Sequence, residues 1–163
     1  MSLEEVMEHL GKYPSKMVCV TGGEPLAHLP DFKVLAEALK QGGYWIEVET
    51  SGGYRLAWES PVDSWVMDMK CPASGMEQFN KYEEVPRLRP QDQLKFVVAD
   101  RQDFQFALDV LTRHAPGCAI LFSPVYGQLD LAVLAEWVKR EAPQARLSMQ
   151  IHKYIWDPNR RGV

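Results

Sequence analysis

Met17-Val18-Cys19-Val20-Thr21-Gly22-Gly23-Glu24-Pro25 is a short, nearly all-apolar run that stops on two glycines, a carboxylate and a proline. A run of that length reads as a strand buried on both faces, of the kind found in parallel sheets covered by helices. On its amino side Ser2 and Glu5 form a capping box, and Leu3, Val6, Met7 and Leu10 recur at helical spacing, so an amphipathic helix precedes it and Gly11 can end it. On its carboxyl side Pro30 and Asp31 introduce a second helix striped by Phe32, Leu35, Ala36 and Leu39. Gly42-Gly43 then lie where a left-handed cap is wanted.

The same unit recurs along the chain. Trp45 to Thr50, Ser64 to Met69, Leu94 to Val98, Ala119 to Phe122 and Arg146 to Ile151 read as strands. Asp100 and Asp103 open a helix striped by Phe104, Ala107, Leu108 and Leu111, and Gln128 to Glu141 is helical through Leu131, Leu134, Ala135 and Val138. Residues 72 to 92 form a long irregular loop with a short helix near Met76 to Tyr82. Strands alternating with helices imply right-handed crossovers and a parallel sheet, either open and doubly wound or curved into a full or partial barrel. Either way the strand ends at Thr21 to Pro25, Glu49 to Gly52, Asp68 to Pro72 and Ser123 to Val125 share the carboxyl edge, where α/β proteins bind ligands. No repeat, low-complexity stretch or linker divides residues 1–163, which read as one domain.

Composition narrows the function. At 163 residues with 46% hydrophobic and 25% charged side chains, the chain matches an average globular domain. A net charge of −4 offers no global field for nucleic acid or membrane, no apolar run approaches a membrane span, and no signal peptide opens the chain. Cys19, Cys71 and Cys118 are odd in number and widely scattered, unlike a disulfide framework or a metal knuckle, so a reducing cytoplasm is expected. Cys19 and Cys118 read as core packing and Cys71 as a structural thiol near the active edge. Among the tryptophans, Trp137 reads as a packing contact.

Gly22 and Gly23 allow a ligand close to the backbone, and Glu24 beside them suits an ammonium group; an ordinary strand-to-helix turn has the same composition. Asp68 and Lys70, two apart on a strand, point to one face as a ligand clamp or a solvated rim. His152, Lys153, Arg160 and Arg161 form a basic tail that either meets a carboxylate or stays in water.

In order and position over nearly the whole chain, these segments resemble the radical S-adenosylmethionine (SAM) superfamily. Within it, Val-Thr-Gly-Gly-Glu-Pro, Glu-Thr-Ser-Gly, Asp-Met-Lys-Cys-Pro-Ala-Ser-Gly-Met, Lys-Phe-Val-Val, Ser-Pro-Val and Gln-Ile-His-Lys-Tyr-Ile-Trp resemble the 7-carboxy-7-deazaguanine synthase family of queuosine biosynthesis. The resemblance implies a partial (β/α) barrel and a ring contraction of 6-carboxy-5,6,7,8-tetrahydropterin with loss of ammonia. A [4Fe–4S] cluster would reductively cleave SAM, and Mg²⁺ would assist. It also implies a homodimer served by an electron donor such as flavodoxin. Carried over by position, Thr21 meets the pterin substrate; Gly22, Gly23 and Glu24 hold the amino-acid end of SAM. Asp68, Met69 and Lys70, and Ser123, Pro124, Val125 and Tyr126, also contact SAM. Glu49, Thr50 and Ser51 line the same edge, Ser51 standing where the family more often has Asn.

The cluster of that superfamily is held by a cysteine triplet upstream of Gly-Gly-Glu-Pro, and no such triplet occurs here. The sequence is therefore expected to be the family enzyme without its first strand and cluster loop, comprising the second to sixth strands of the partial barrel plus a C-terminal strand and tail, and inactive alone. A catalytically silent SAM- or nucleotide-binding module and another radical SAM activating enzyme are the alternatives.

Overall fold

The computed structural model describes residues 1–158 and 160. Arg161, part of the expected basic tail, lies outside the described residues.

Helix α1 (Leu3–Gly11) starts on the expected capping box: Ser2 Oγ accepts from the Glu5 amide at 3.2 Å and Glu5 accepts from the Ser2 amide at 2.6 Å. It leads into β1 (Met17–Val20), after which a 3₁₀ turn (Pro25–His28) runs into α2 (Leu29–Gln41). Gly43 beyond α2 has φ +75°, the left-handed backbone that favours glycine. Strands β2 (Trp45–Thr50) and β3 (Ser64–Met69) follow, then three short 3₁₀ turns between residues 72 and 87, then β4 (Gln93–Val98). Next come α3 (Arg101–His114), β5 (Ala119–Pro124), α4 (Leu131–Glu141), β6 (Arg146–Leu147) and α5 (His152–Ile155).

All six strands are parallel and lie in the order β1-β2-β3-β4-β5-β6. This sequential order settles what periodicity leaves open. Right-handed crossovers between neighbours always step the same way, so the helices collect on one face of the sheet and the chain forms an open half-barrel.

On the covered face Ile46, Val48, Trp65, Met67, Leu94, Phe96 and Phe122 pack with Phe32 and Leu39 of α2, Phe104 and Ala107 of α3, and Leu134 of α4. Phe104 lies 5.0 Å from Phe122 and 5.6 Å from Trp137, centroid to centroid, so Trp137 is a packing contact as expected. Among the described residues the other face of the sheet has no covering layer, and it mixes the polar side chains of Cys19, Glu47, Glu49, Asp68, Gln93 and Lys95 with the apolar ones of Met17, Trp45, Val66, Val97 and Leu121.

Three expectations change. β1 is not buried on both faces: Met17 and Cys19 are exposed, while Val18 and Val20 lean on the core. Among the described residues it is the sheet's edge, paired to β2 alone and with no helix over its open face. The last strand shrinks to Arg146–Leu147, where Ser148 donates to Phe122 O at 2.8 Å before the backbone turns into α5. The fourth helix begins at Leu131 rather than Gln128, because the Asp130 side chain caps it through the Ala132 amide at 2.7 Å.

Candidate binding site at the open carboxyl edge

Gly22 and Gly23 have φ of +87° and +54°, and a Cβ on either would meet open space rather than protein. Two left-handed residues in succession leave this backbone exposed to a ligand. The turn is held from behind by Glu24. Its carboxylate accepts from the Leu26 amide at 3.0 Å, from Thr50 Oγ1 at 2.8 and 3.0 Å, from the Ser51 amide at 2.7 Å and from Ser51 Oγ. Glu24 thus ties the end of β1 to the end of β2, and its lone pairs are committed within the protein.

Asp68 near the carboxyl end of β3 and Lys70 just past it share a face, as their spacing implies, and pair at 2.6 Å with each about a quarter exposed. Lys70 takes Asp68 Oδ2, whereas Oδ1 is buried without a hydrogen-bond partner. A buried carboxylate oxygen left unpaired costs stability unless something outside the protein donates to it.

Two cavities meet at this pair. One of about 150 Å³ is lined by Thr21, Gly23, Glu49, Thr50, Ser51, Val66 and Lys95. The other, of about 310 Å³, is lined by Met69, Cys71, Ala73, Ser74, Val97, Ala99, Asp103, Val125 and Gln128. Asp68 and Lys70 line both. The Met69 side chain is fully buried in the core. Ser123 and Pro124 are buried at the end of β5, and Tyr126 is exposed beyond it. The tail reaches the same edge: Tyr154 packs edge-on against Tyr126 at 5.6 Å and Lys153 lies 5.4 Å over the Tyr126 ring.

Sequence reasoning passed over Lys95 and Asp103. Lys95 lies two residues into β4, on the open face beside Asp68 in register, and its only signal was a charge inside an apolar strand. Asp103 is buried and accepts from the Ala73 amide at 3.0 Å and the Ala99 amide at 2.9 Å, bracing the loops after β3 and β4 together.

An iron–sulfur cube needs several thiolates converging on one point. Cys19 is exposed on β1, Cys71 is buried past β3 and Cys118 is half-buried before β5. Among the described residues, the one gathering of metal-ligand type joins Cys19 to Glu47 and Glu49, with ligand atoms within 4.8 Å: a single thiol among carboxylates. The cysteines present do not fit a [4Fe–4S] cluster.

Burial, and then the charges of Glu49 and Glu47, push the Cys19 thiol above its ordinary value. Burial pushes Cys71 up further, with Asp103 and Asp68 adding to it, and raises Cys118 to about 11, with Asp92 adding. Thiolate is the reactive form, so a maleimide at neutral pH is expected to label Cys19 alone, more slowly than free cysteine, and the other two only on unfolding. Mass spectrometry of the native chain checks this; two or three labels would contradict the burial.

A search of protein-family models finds no match. Among curated proteins, the 7-carboxy-7-deazaguanine synthase of Koribacter versatilis is 34% identical over 180 residues, covering all of this chain and 79% of that protein. The enzyme of the same name from Chlorobaculum tepidum is 33% identical, covering all of this chain and 76% of that protein. Among solved structures, a domain of a pyruvate-formate lyase-activating enzyme from Bacteroides vulgatus superposes with a TM-score of 0.62 over 81% of this chain and 97% of that one, at 15% identity.

Six parallel strands in sequential order, helices on one face and a glycine-flanked open edge define a radical SAM type of half-barrel. Within that class, the identity across its whole length shows that the chain belongs to the 7-carboxy-7-deazaguanine synthase family.

Proposed function

We propose that this chain supplies the SAM- and pterin-binding edge of a radical SAM lyase that converts 6-carboxy-5,6,7,8-tetrahydropterin to 7-carboxy-7-deazaguanine with loss of ammonia, in queuosine biosynthesis. Family membership over the whole chain carries this reading. The geometry supports it at Asp68 Oδ1, a buried acceptor without a partner where the two cavities meet.

An elongated ligand laid across both cavities would have its amino-acid end at the Gly22-Gly23 turn, a donor at Asp68 Oδ1 and its base toward Val125 and the Ser123 to Tyr126 segment. Glu24 serves by bracing the turn rather than by reaching the ligand with its carboxylate. Thr21 and Glu49 line the smaller cavity. The exposed Glu49 carboxylate has no hydrogen bond or ion pair among the described residues, a charge suited to the amino and ring N–H donors of a pterin. SAM, when bound, supplies the hydrogen-abstracting chemistry; the protein supplies orientation and electrostatics.

Because the cysteines do not converge, the thiolates for the cluster, and the ligand for Mg²⁺, are assigned to polypeptide other than residues 1–163. A donor such as flavodoxin would supply the electron, and a homodimer is the expected working form. No helix among the described residues is long and apolar enough to cross a bilayer.

Two measurements test the reading. Iron and sulfide analysis after anaerobic reconstitution is expected to give far less than the roughly four irons per chain of one cluster; about four would overturn the outside assignment of the ligands. Calorimetry with S-adenosylhomocysteine is expected to show one site per chain, weakened about tenfold or more by Asp68→Asn, which loses a charged acceptor. No heat of binding would sink the SAM-site reading.

A further inference from the structure

Of the Asp68–Lys70 pair, Asp68 lies within β3, in register with Lys95, whereas Lys70 lies beyond it: β3 ends at Met69, and its ladder to β4 ends at the Met69–Phe96 pair. Lys70 therefore has no neighbouring strand to hold its peptide groups. Asn80, ten residues further on in the irregular loop, takes that place. Its Oδ1 accepts from the Lys70 amide at 3.0 Å and its Nδ2 donates to the Lys70 carbonyl at 2.9 Å, so one side chain closes both halves of a ladder rung.

The clamp is itself anchored. Asn80 is only 8% exposed, its amide donates to Glu77 O at 3.1 Å, and its Nδ2 also lies 3.4 Å from the Tyr82 hydroxyl. Tyr82 in turn stacks on His114 of α3 at 5.6 Å. Next to it the Lys81 amide donates to Gly52 O at 2.9 Å, which fastens the same loop to the end of β2.

We infer that Asn80 is a positioning residue for the cofactor site: by fixing the Lys70 backbone it sets where the Lys70 ammonium holds Asp68 Oδ2, and so where the unpaired Oδ1 faces the ligand. The inference rests on the reading of Asp68 and Lys70 as SAM contacts. A buried Asn that only stabilised the loop would lower the melting temperature without changing affinity well below it.

The test uses the 163-residue chain and S-adenosylhomocysteine in calorimetry, at a temperature where every variant is folded by circular dichroism. Asn80→Leu is expected to raise Kd about tenfold, the size of a lost interaction between a ligand and a well-aimed charged group. In the Lys70→Met background the same change should add less than about twofold, because the side chain it acts through is gone. Asp92→Asn is the control. That carboxylate is fully buried and accepts from the Trp65 amide at 2.9 Å and the Arg89 amide at 2.7 Å, at the opposite, amino end of the sheet. It should lower the melting temperature and leave Kd unchanged.

Where Asn80→Leu does not fold, Asn80→Ser, too short to span both Lys70 groups, carries the same comparison. An unchanged Kd, or an effect that is fully additive with Lys70→Met, overturns the inference alone. If the unsubstituted chain binds no S-adenosylhomocysteine, the site reading falls and the inference falls with it.

Discussion

Glu24→Ala is expected to lower the unfolding free energy by about 3 kcal/mol, measured by urea denaturation. In the folded chain this one carboxylate accepts from two backbone amides, Leu26 and Ser51, and from the hydroxyls of Thr50 and Ser51. A donor stranded in a buried site costs about 1–3 kcal/mol. Thr50 is only 3% exposed and pays most of that cost, whereas Ser51 is half-buried and partly reached by water, so the total stays well below four full penalties. Glu24→Gln is expected to cost about 2 kcal/mol, because an amide NH₂ must face a donor where an oxygen accepted before. A loss under about 1 kcal/mol for the alanine variant would show that β1 and β2 are joined by something other than this carboxylate.

Gly52→Ala is expected to damage fold and site together. Gly52 sits at φ +73°, and a Cβ there would lie 2.6 Å from the carbonyl oxygen of Asp68 and 3.3 Å from its carbon. The atoms in the way are backbone, with no flexible side-chain end to swing aside. An L residue in the left-handed region costs roughly 1–2 kcal/mol before any clash is counted. With the overlap added, about 3 kcal/mol or more is expected, read from the urea midpoint. Relief of the overlap must displace Asp68, so S-adenosylhomocysteine affinity should fall by about tenfold or more at the same time. Gly11→Ala, at the end of α1 with open space around its Cβ, is the matching control and should be close to neutral. Unchanged binding in Gly52→Ala would mean that the position of Asp68 does not govern the site.

Several parts of this molecule were legible without coordinates, each for a local reason. The capping box at Ser2 and Glu5, the glycine cap at Gly43 and the bounds of β3 follow from chemistry within a few residues. The shared face of Asp68 and Lys70 follows from the twofold period of a strand. The tail was legible only in part. Its charges suggested a solvated or carboxylate-seeking segment, but the contact that places it is aromatic, Tyr154 on Tyr126. Cys19 was misplaced because an apolar run looks the same whether one face or both are covered, and at an edge strand the uncovered face wins.

The alternation of strand and helix, the glycine turn at the carboxyl edge, the family resemblance and the absence of a cysteine triplet ahead of Gly22 in residues 1–163 were legible in the sequence. These depend on residue type and short-range spacing, which any segment carries with it. The tertiary structure decided the rest. Sequential strand order put α2, α3 and α4 on one face and left the other open among the described residues. Side chains 26 and 27 residues from Glu24 bond its carboxylate and so join the ends of β1 and β2. A buried amide in an irregular loop became the rung that holds Lys70. Such pairings join groups far apart in the chain; their geometry is set by how the whole sheet closes, and no local period records it.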